Sequence, residues 1–413
     1  MKVAGGIGVV GSAGCAAATD GGGTGPSQTK GATDPSGDYD IGGRRLVGAD
    51  GYGTIAEAWA DADDGDTVYV HSSYDAAEAG ESFPIELDCR EKQVTLCGGH
   101  PSASVIDAGE TDETVLEVVG AGSGDYQNNP LVKDLTIVGG GIGLRLRAAP
   151  FASFENLTFY RTAGHAVLVE GHPDSGTFGT NWYNVQAWNC GGDGIRTDRS
   201  AAPHGTTLWG CRFTANRGAG VRFRGAACKM VGGTSQLNYD YGVETRGGDA
   251  TLVSGAYVEG NARGNDFPVE VYAKRADGLT VENSYFHGIN PRGAEHDYDR
   301  VQRAVNVHDS EKLTVRDCVA RRYGDGFVAT FGCVDADVYA ASHHLEETEL
   351  FARDPTRNGN ARARSHGVIL PTDLTAVDGA CEYDRGYHVG DDGVEGHAIW
   401  RNGGWKVSET VSL

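Results

Sequence analysis

Eight stretches of the sequence share a small residue followed by alternating apolar and polar positions: GIGLRLR (141–147), HAVLVE (165–170), DGIRTD (193–198), AGVRFR (219–224), YGVETR (241–246), FPVEVY (267–272), RAVNVH (303–308) and DGFVAT (325–330). If the apolar residues point inward, the polar ones between them point outward. The first outward position then reads Arg145, Leu168, Arg196, Arg222, Glu244, Glu270, Asn306 and Val328, and the second reads Arg147, Glu170, Asp198, Arg224, Arg246, Tyr272, His308 and Thr330. Arg forks grip carboxylates in two-point fashion better than Lys does. Carboxylates beside Arg can place a cation such as Ca2+ or take up a proton. Within the columns Arg246, Tyr272 and His308 are the candidate acids and bases, and Arg196, Arg222 and Arg224 are candidate carboxylate clamps. A second explanation stands beside this one. Any exposed parallel sheet needs polar outward residues, and Arg–Glu neighbours on adjacent strands support each other modestly.

Two further places carry reactive residue types. The segment FHGINPRGAEHDYDRVQRAVNVHDSE (286–311) fills the longest gap between repeats, Val269 to Val305, and holds His287, Arg292, His296, Asp297, Tyr298, Asp299 and Arg303. A long loop leaving a regular scaffold commonly carries binding or catalytic residues. NYDYG (238–242) and DYD (297–299) equally suit turns with Tyr packed on the surface. The other place is GGDGIRTD (191–198), which invites a reading as a calcium or phosphate loop. A nine-residue calcium roll would repeat far more often and would want Asp where Arg196 stands. A dinucleotide-binding glycine loop must open a helix, whereas Asp198 leads into RSAAPHG.

What positions these residues is a repeat of about two dozen residues. Ahead of many of the eight stretches lies a second strand signal: DLTIV (134–138), NLTFY (156–160), GLTVENSYF (278–286) and KLTVRDCVA (312–320). Short strands with period-two alternation, punctuated by Gly or Asn, predict a solenoid in which each coil buries its apolar face against the next. Upstream, GYGTIAEAWADADDGDTVYVHSSY (51–74) predicts an amphipathic helix with Ile55, Ala58, Trp59 and Ala62 on one face, followed by a strand. Asp61, Asp63, Asp64 and Asp66 read as a helix end and turn, because Gly65 is one place early for an EF-hand and no Glu closes the loop.

The repeat and this opening together resemble the pectate-lyase-like superfamily, over about residues 44 to 355. The resemblance implies an all-β, right-handed parallel β-helix, with the 51–62 helix capping the open end of the core. It implies activity far less firmly, since this architecture hosts lyases, hydrolases, epimerases and adhesins. Hydrolases on the fold carry an Asn-x-Asp, an Asp pair, a Gly-His-Gly and an Arg-x-Lys. Asp193 resembles the first, but Cys190-Gly191-Gly192 replaces the Asn context, the next coil has no Asp pair, and Arg-x-Lys is absent. β-Elimination needs only a base and a group that neutralises the uronate carboxylate. The expectation is therefore a protein that binds an acidic polysaccharide or cell-surface glycan, and that cleaves it, if at all, as a lyase. The rival is a noncatalytic adhesin or spike-like receptor binder. Asp193, Arg246, Tyr272, His287 and His308 are the catalytic candidates. Arg145, Arg147, Arg196, Asp198, Arg222, Arg224, Glu244, Glu270, Arg292, Asp297, Asp299 and Arg303 are the substrate-binding ones.

Composition limits the partners. The chain has 413 residues, 63 glycines and a formal net charge of −22. Such a charge opposes nucleic-acid binding, which needs a basic field. The Asp-rich, Lys-poor balance resembles that of proteins from salt-loving organisms, and an ordinary acidic soluble protein would share it. No Cys pair has zinc-site spacing. No cofactor is implied beyond the calcium ion mentioned above.

At the N-terminus, Ser12-Ala13-Gly14-Cys15 after a short apolar run looks like a lipoprotein signal over 1–15 with Cys15 lipidated, although a glycine-rich leader with an incidental Cys gives the same letters. Residues 16–43 have linker composition. The expectation is an extracellular protein anchored to the outer face of the membrane through that lipid alone. The eight remaining cysteines suit disulfides or buried thiols equally. Residues 356–367 read as a second linker and 368–413 as a small β appendage with a hairpin turn at Asn402-Gly403-Gly404, where Trp400 and Trp405 would form a mini-core or a sugar platform.

Overall fold

The computed structural model describes residues 43–122, 129–170, 176–198, 203–264, 268–288, 303–321, 326–331 and 333, together with the backbone of strands from Asp337–His344 to Gly404–Glu409. Its repeating unit is a coil of three short strands. One coil runs Ser153–Glu155, Thr158–Tyr160 and Val167–Glu170; the next runs Asn181–Tyr183, Gln186–Trp188 and Ile195–Thr197. Each strand pairs in parallel with its counterpart one coil on. The first two strands of successive coils build a 21-stranded sheet and the third builds an 11-stranded sheet. The bends are made by single residues with left-handed backbone: Asn156 and Asn184 (φ 52° and 51°) at one corner, Arg161 and Asn189 (φ 56° at both) at the next. Asn tolerates that region better than most residues, which is why it recurs at these corners.

Between the sheets lies one continuous core. Phe154 stacks on Trp182 of the next coil at 3.9 Å and 13°. Polar side chains inside the core are organised along the same axis. Asn216, Asn238 and Asn261 stand on successive coils: Asn216 Nδ2 donates to Asn238 Oδ1 at 3.0 Å, and Asn238 Nδ2 donates to Asn261 Oδ1 at 2.8 Å. Each Oδ1 also accepts the backbone N–H of the preceding member, so buried amides are satisfied by stacking.

The open end is closed by the helix Ile55–Asp61, which buries Ile55, Ala58 and Trp59. Its capping box pairs Glu57 N–H with Thr54 Oγ1 (3.1 Å) and Thr54 N–H with Glu57 Oε2 (3.3 Å). Lys92 Nζ donates to the carbonyls of Trp59 and Ala62 at the helix C-terminus, 2.6 and 2.7 Å away. The acidic run after the helix is a turn that holds Arg45: Asp61 Oδ2 and Asp66 Oδ2 stand 3.3 and 3.2 Å from its guanidinium. No helix among the described residues is long and apolar enough to cross a membrane.

In several places the structure differs from the sequence expectation. Val271, not Val269, is the register partner of Val243, because the strand Val269–Lys274 begins two residues early. Tyr272 thereby enters the first outward column opposite Glu244, and Glu270 turns into the core. One coil later Val328 pairs with Val305 and Thr330 with Val307, so both lie inside and Phe331 takes the outward place beside His308. The segment expected as a linker after Pro355 contributes the strand Arg362–Ser365, which continues the parallel ladder from Asp337–His344. The seven described cysteines, 89, 97, 190, 211, 228, 318 and 333, are all buried, and 89, 190, 211, 228 and 318 are free thiols, so the disulfide alternative fails for those five. Their thiols face backbone carbonyls, as Cys211 Sγ does at 3.3 Å from Trp182 O, and burial pushes the Cys211 thiol up to about 12. Cys15 and Cys381 lie outside the described residues. The C-terminal sheet has 4 strands, and Arg401 pairs with Gly404 across its hairpin.

Candidate functional site

The outward face of the 11-stranded sheet brings most of the sequence-predicted residues together, and it divides into an ion-paired part and a part lined by rings. In the first part the Arg columns are occupied by carboxylates of neighbouring coils. Arg145 makes a two-point contact with Glu170 (2.8 and 3.0 Å), and Arg147 Nη1 donates to Glu117 at 2.9 Å. At the centre, Glu244 is fully buried and meets three guanidiniums: Arg222 Nε at 2.7 Å, Arg224 Nη2 at 3.3 Å, and Arg246 Nε. The Arg222 contact is an ion pair too bent to be a hydrogen bond. Arg222 also reaches Asp240 Oδ2 (2.8 Å) and Asp193 Oδ1 (3.4 Å). Burial works against the Arg222 charge, and Asp193 and Glu244 more than restore it. Three carboxylates, Asp193, Asp240 and Glu244, thus balance three guanidiniums. Arg196, between Leu168 and Arg222 in the column, makes no ion pair among the described residues.

Asp193, a catalytic candidate, is 1% exposed. Its Oδ1 accepts the backbone N–H of Ala219 at 2.7 Å, and the missing side chain of Gly218 makes room for it, since a Cβ there would stand 2.3 Å from that oxygen. Asp193 therefore braces one coil against the next and cannot meet a substrate from solvent. Its backbone N–H donates to Nδ1 of His165 at 2.9 Å, which leaves the imidazole proton on Nε2. Burial, opposed by Asp193, keeps the His165 pKa below its ordinary value.

The second part lies towards the C-terminal coils. Tyr241 stacks on Tyr272 at 4.8 Å and 14°, Tyr272 lies 5.6 Å from His308, and His308 stacks on Phe331 at 4.7 Å and 15°. The Arg246 guanidinium sits over the Tyr272 ring, 5.4 Å from its centroid. All four rings are half-buried, so each keeps an open flank. Burial pushes Tyr241 up to about 12 and raises Tyr272, so both phenols keep their protons near neutral pH. Burial lowers His308, which leaves that imidazole neutral with a lone pair available. Lys274 is the register partner of both Arg246 and His308 and adds a cation at the edge. Arg303 stands with its guanidinium 6.0 Å from the Phe331 ring.

Other predicted residues fall elsewhere. His287 belongs to the 21-stranded sheet, where its Nδ1 lies 3.4 Å from Glu259 Oε1; it is not part of the ring row. Glu270 is fully buried and ends the Asn ladder, accepting from Asn261 Nδ2 at 2.6 Å and from the Asn261 backbone N–H. It cannot serve in an outward column. Burial raises its pKa to about 8 against the hydrogen bonds from Asn261. Asp198 keeps its outward place at the strand end, half-buried. Arg292, Asp297 and Asp299 lie outside the described residues, as do His296 and Tyr298. Among the described residues no three His, Cys, Asp or Glu side chains converge as a metal site.

Sequence reasoning missed Asp240, Tyr241 and Phe331. The first two belong to NYDYG, whose place just before a repeat strand puts them at the mouth of the face. Phe331 was hidden by the one-residue register error.

Residues 175–340 match the family model for a right handed beta helix region. Several solved structures are similar. The surface adhesin PfbA of Streptococcus pneumoniae is similar with 11% identity and TM-score 0.50, over 91% of this chain and 98% of that one. Tailspike protein 3 of bacteriophage CBA120 gives 12% identity and TM-score 0.46, over 86% of this chain and 66% of that one. A mannuronan C-5 epimerase A-module of Azotobacter vinelandii gives 11% identity and TM-score 0.43, over 73% of this chain and 91% of that one. No curated protein matches the sequence significantly. With its two long parallel sheets and matched coils, the chain is a right-handed parallel β-helix protein.

Proposed function

We propose that this is an exported glycan-binding β-helix that takes an acidic, uronate-type polysaccharide along the ring row of its 11-stranded sheet. The observation that carries the reading is the run Tyr241–Tyr272–His308 with Arg246 over Tyr272. The open flanks of rings spaced coil by coil suit apolar C–H contact with successive sugar rings. Arg246, whose side chain is 47% exposed although its Nε contacts Glu244, and Lys274 supply the charge for uronate carboxylates. Arg145, Arg147, Arg222 and Arg224 spend their forks on the protein's own carboxylates, which assigns them to holding the face in shape.

If the protein also cleaves its ligand, β-elimination is the reaction these residues can host. His308 would accept the proton next to the carboxyl group, Arg246 would neutralise the charge that develops, and Tyr272 would donate to the leaving oxygen. Export with a lipid on Cys15 would place the face outside the cell. Titration calorimetry with polygalacturonate and alginate oligosaccharides, run beside absorbance of unsaturated products, tests both levels. Heat of binding without new absorbance assigns an adhesin-type role, and growth of absorbance assigns a lyase. Absence of binding to every uronate polymer contradicts the reading.

A further inference from the structure

A second surface, distinct from the ring row, is built into the 21-stranded sheet. The described residues contain four exposed large hydrophobic side chains, and all are aromatic: Phe151 (41%), Tyr183 (40%), Trp188 (48%) and Trp209 (42%). They fall on three consecutive coils. Tyr183 and Trp209 are register partners whose rings lie parallel, 7° apart with centroids at 6.3 Å, as a stacked pair across two coils. Around the corner made by Asn184, Trp188 pairs with Tyr160 at 6.0 Å, and the Arg161 guanidinium lies 4.7 Å over the Tyr160 ring. The corner is braced: Asn184 Nδ2 donates to Asn156 Oδ1 at 3.0 Å, and Asn156 Nδ2 donates to Asp134 at 2.9 Å. Rings on such a support are held in place before any partner arrives.

Nothing in the core explains this exposure, since alternate residues of the same strands already bury Trp182, Ala187 and Leu208. Clustered exposed aromatics on a soluble surface mark a contact site. The chemistry around the rings selects the partner. Gln186 falls between Tyr183 and Trp188 along the chain, and Asn181 and Thr158 flank the rings, so the two aromatic pairs do not make one continuous apolar patch such as the centre of a protein interface requires. The charges of these strands, their neighbouring coil and the corner are Lys133, Arg161 and Arg212 against Asp134 and Glu155, a locally positive balance on a chain of net charge −22. That global charge also opposes a second copy of the chain.

We infer that the stacked Tyr183–Trp209 pair and the Trp188–Tyr160 pair form a second carbohydrate site, which takes a negatively charged glycan by packing pyranose rings against the exposed parts of Trp and Tyr. This extends the glycan-binding reading to another face but does not depend on the ring row.

The two sites can be read separately, because no Trp lies on the ring row. Tryptophan fluorescence of the full chain is titrated with oligosaccharides of polygalacturonate, alginate and hyaluronan, and with methyl-esterified polygalacturonate. The expected result is quenching by at least one acidic glycan in wild type and equally in Tyr272→Ala, with apparent affinity weakened about tenfold or more in the Trp188→Ala/Trp209→Ala double variant. The ester should bind more weakly than the acid. An unchanged thermal midpoint in the double variant would confirm that only the surface was altered. Quenching that survives the double variant, quenching that tracks protein concentration instead of glycan, equal binding of acid and ester, or no quenching by any of these glycans would each overturn the inference. Loss of ring-row binding with quenching intact would reject the reading of the other face alone.

Discussion

The outward face of the 11-stranded sheet and the Asn184 corner of the 21-stranded sheet are both built from residues that point away from the core, yet they use them in opposite ways. On the first, Arg and Glu from successive coils meet one another, and the buried Glu244 gathers three guanidiniums. On the second, Trp188 and Trp209 stand nearly half exposed with no apolar cover. A column of charges can therefore be part of the scaffold, while a column of rings can be surplus to it. Residue type alone does not separate the two; what separates them is whether the adjacent coil covers the side chain, as Glu244 does for its guanidiniums, or leaves it open beside another ring, as at Trp188 and Trp209.

Substitutions sharpen that contrast. The largest loss is expected for Glu244→Gln, which leaves Arg222, Arg224 and Arg246 crowded without their central carboxylate. Removing one member of a buried ion cluster costs about 3–5 kcal/mol, to be read from denaturant unfolding. A pH-dependent effect is expected at the end of the Asn ladder. The pKa of Glu270 is raised from 4.5 to about 8 in the folded chain, so the protonated form is favoured by folding. Its contribution to stability is complete below pH 4.5, is lost as pH climbs towards about 8, and changes no further above that. Glu270→Gln should flatten this part of the pH profile, and a profile identical to wild type would show that Glu270 is ionised in the fold. Arg145→Gln breaks a partly exposed pair and should cost no more than about 1 kcal/mol. Smallest of all, Trp209→Ala should change stability by less than about 0.5 kcal/mol. A large loss there would make the aromatic corner part of the scaffold and erase the comparison.

Much of the fold was legible in the sequence because a solenoid writes its period into the chain. The alternation in GIGLRLR or AGVRFR fixes which residues enter the core, and the Ile55, Ala58 and Trp59 spacing fixes the cap. Register was legible only where strands start at the same offset from the turn. FPVEVY starts two residues early, and that shift sent Glu270 inward and moved Tyr272 from the second outward column to the first. The site was less legible, because Arg222 looks identical in sequence whether it faces a ligand or Glu244. The exposed rings were missed for a related reason. NWYNVQAW reads as strand alternation with large apolar residues, and only the sharp bend at Asn184, where φ reaches 51°, turns Tyr183 and Trp188 to the outside on two sides of one corner. Asn216, Asn238 and Asn261 likewise carry no sequence mark of their mutual hydrogen bonds, which exist only because consecutive coils lie in register.

The central claim is that rings, with Arg246 beside them, bind an acidic glycan on the 11-stranded sheet while the paired Arg columns hold the sheet. Titration calorimetry of a uronate oligosaccharide against wild type, Tyr272→Ala and Arg145→Gln tests it most directly. The account predicts an affinity about tenfold or more weaker for Tyr272→Ala, the truncation of an aromatic anchor, and an unchanged affinity for Arg145→Gln. Unchanged binding in Tyr272→Ala together with loss in Arg145→Gln would contradict it.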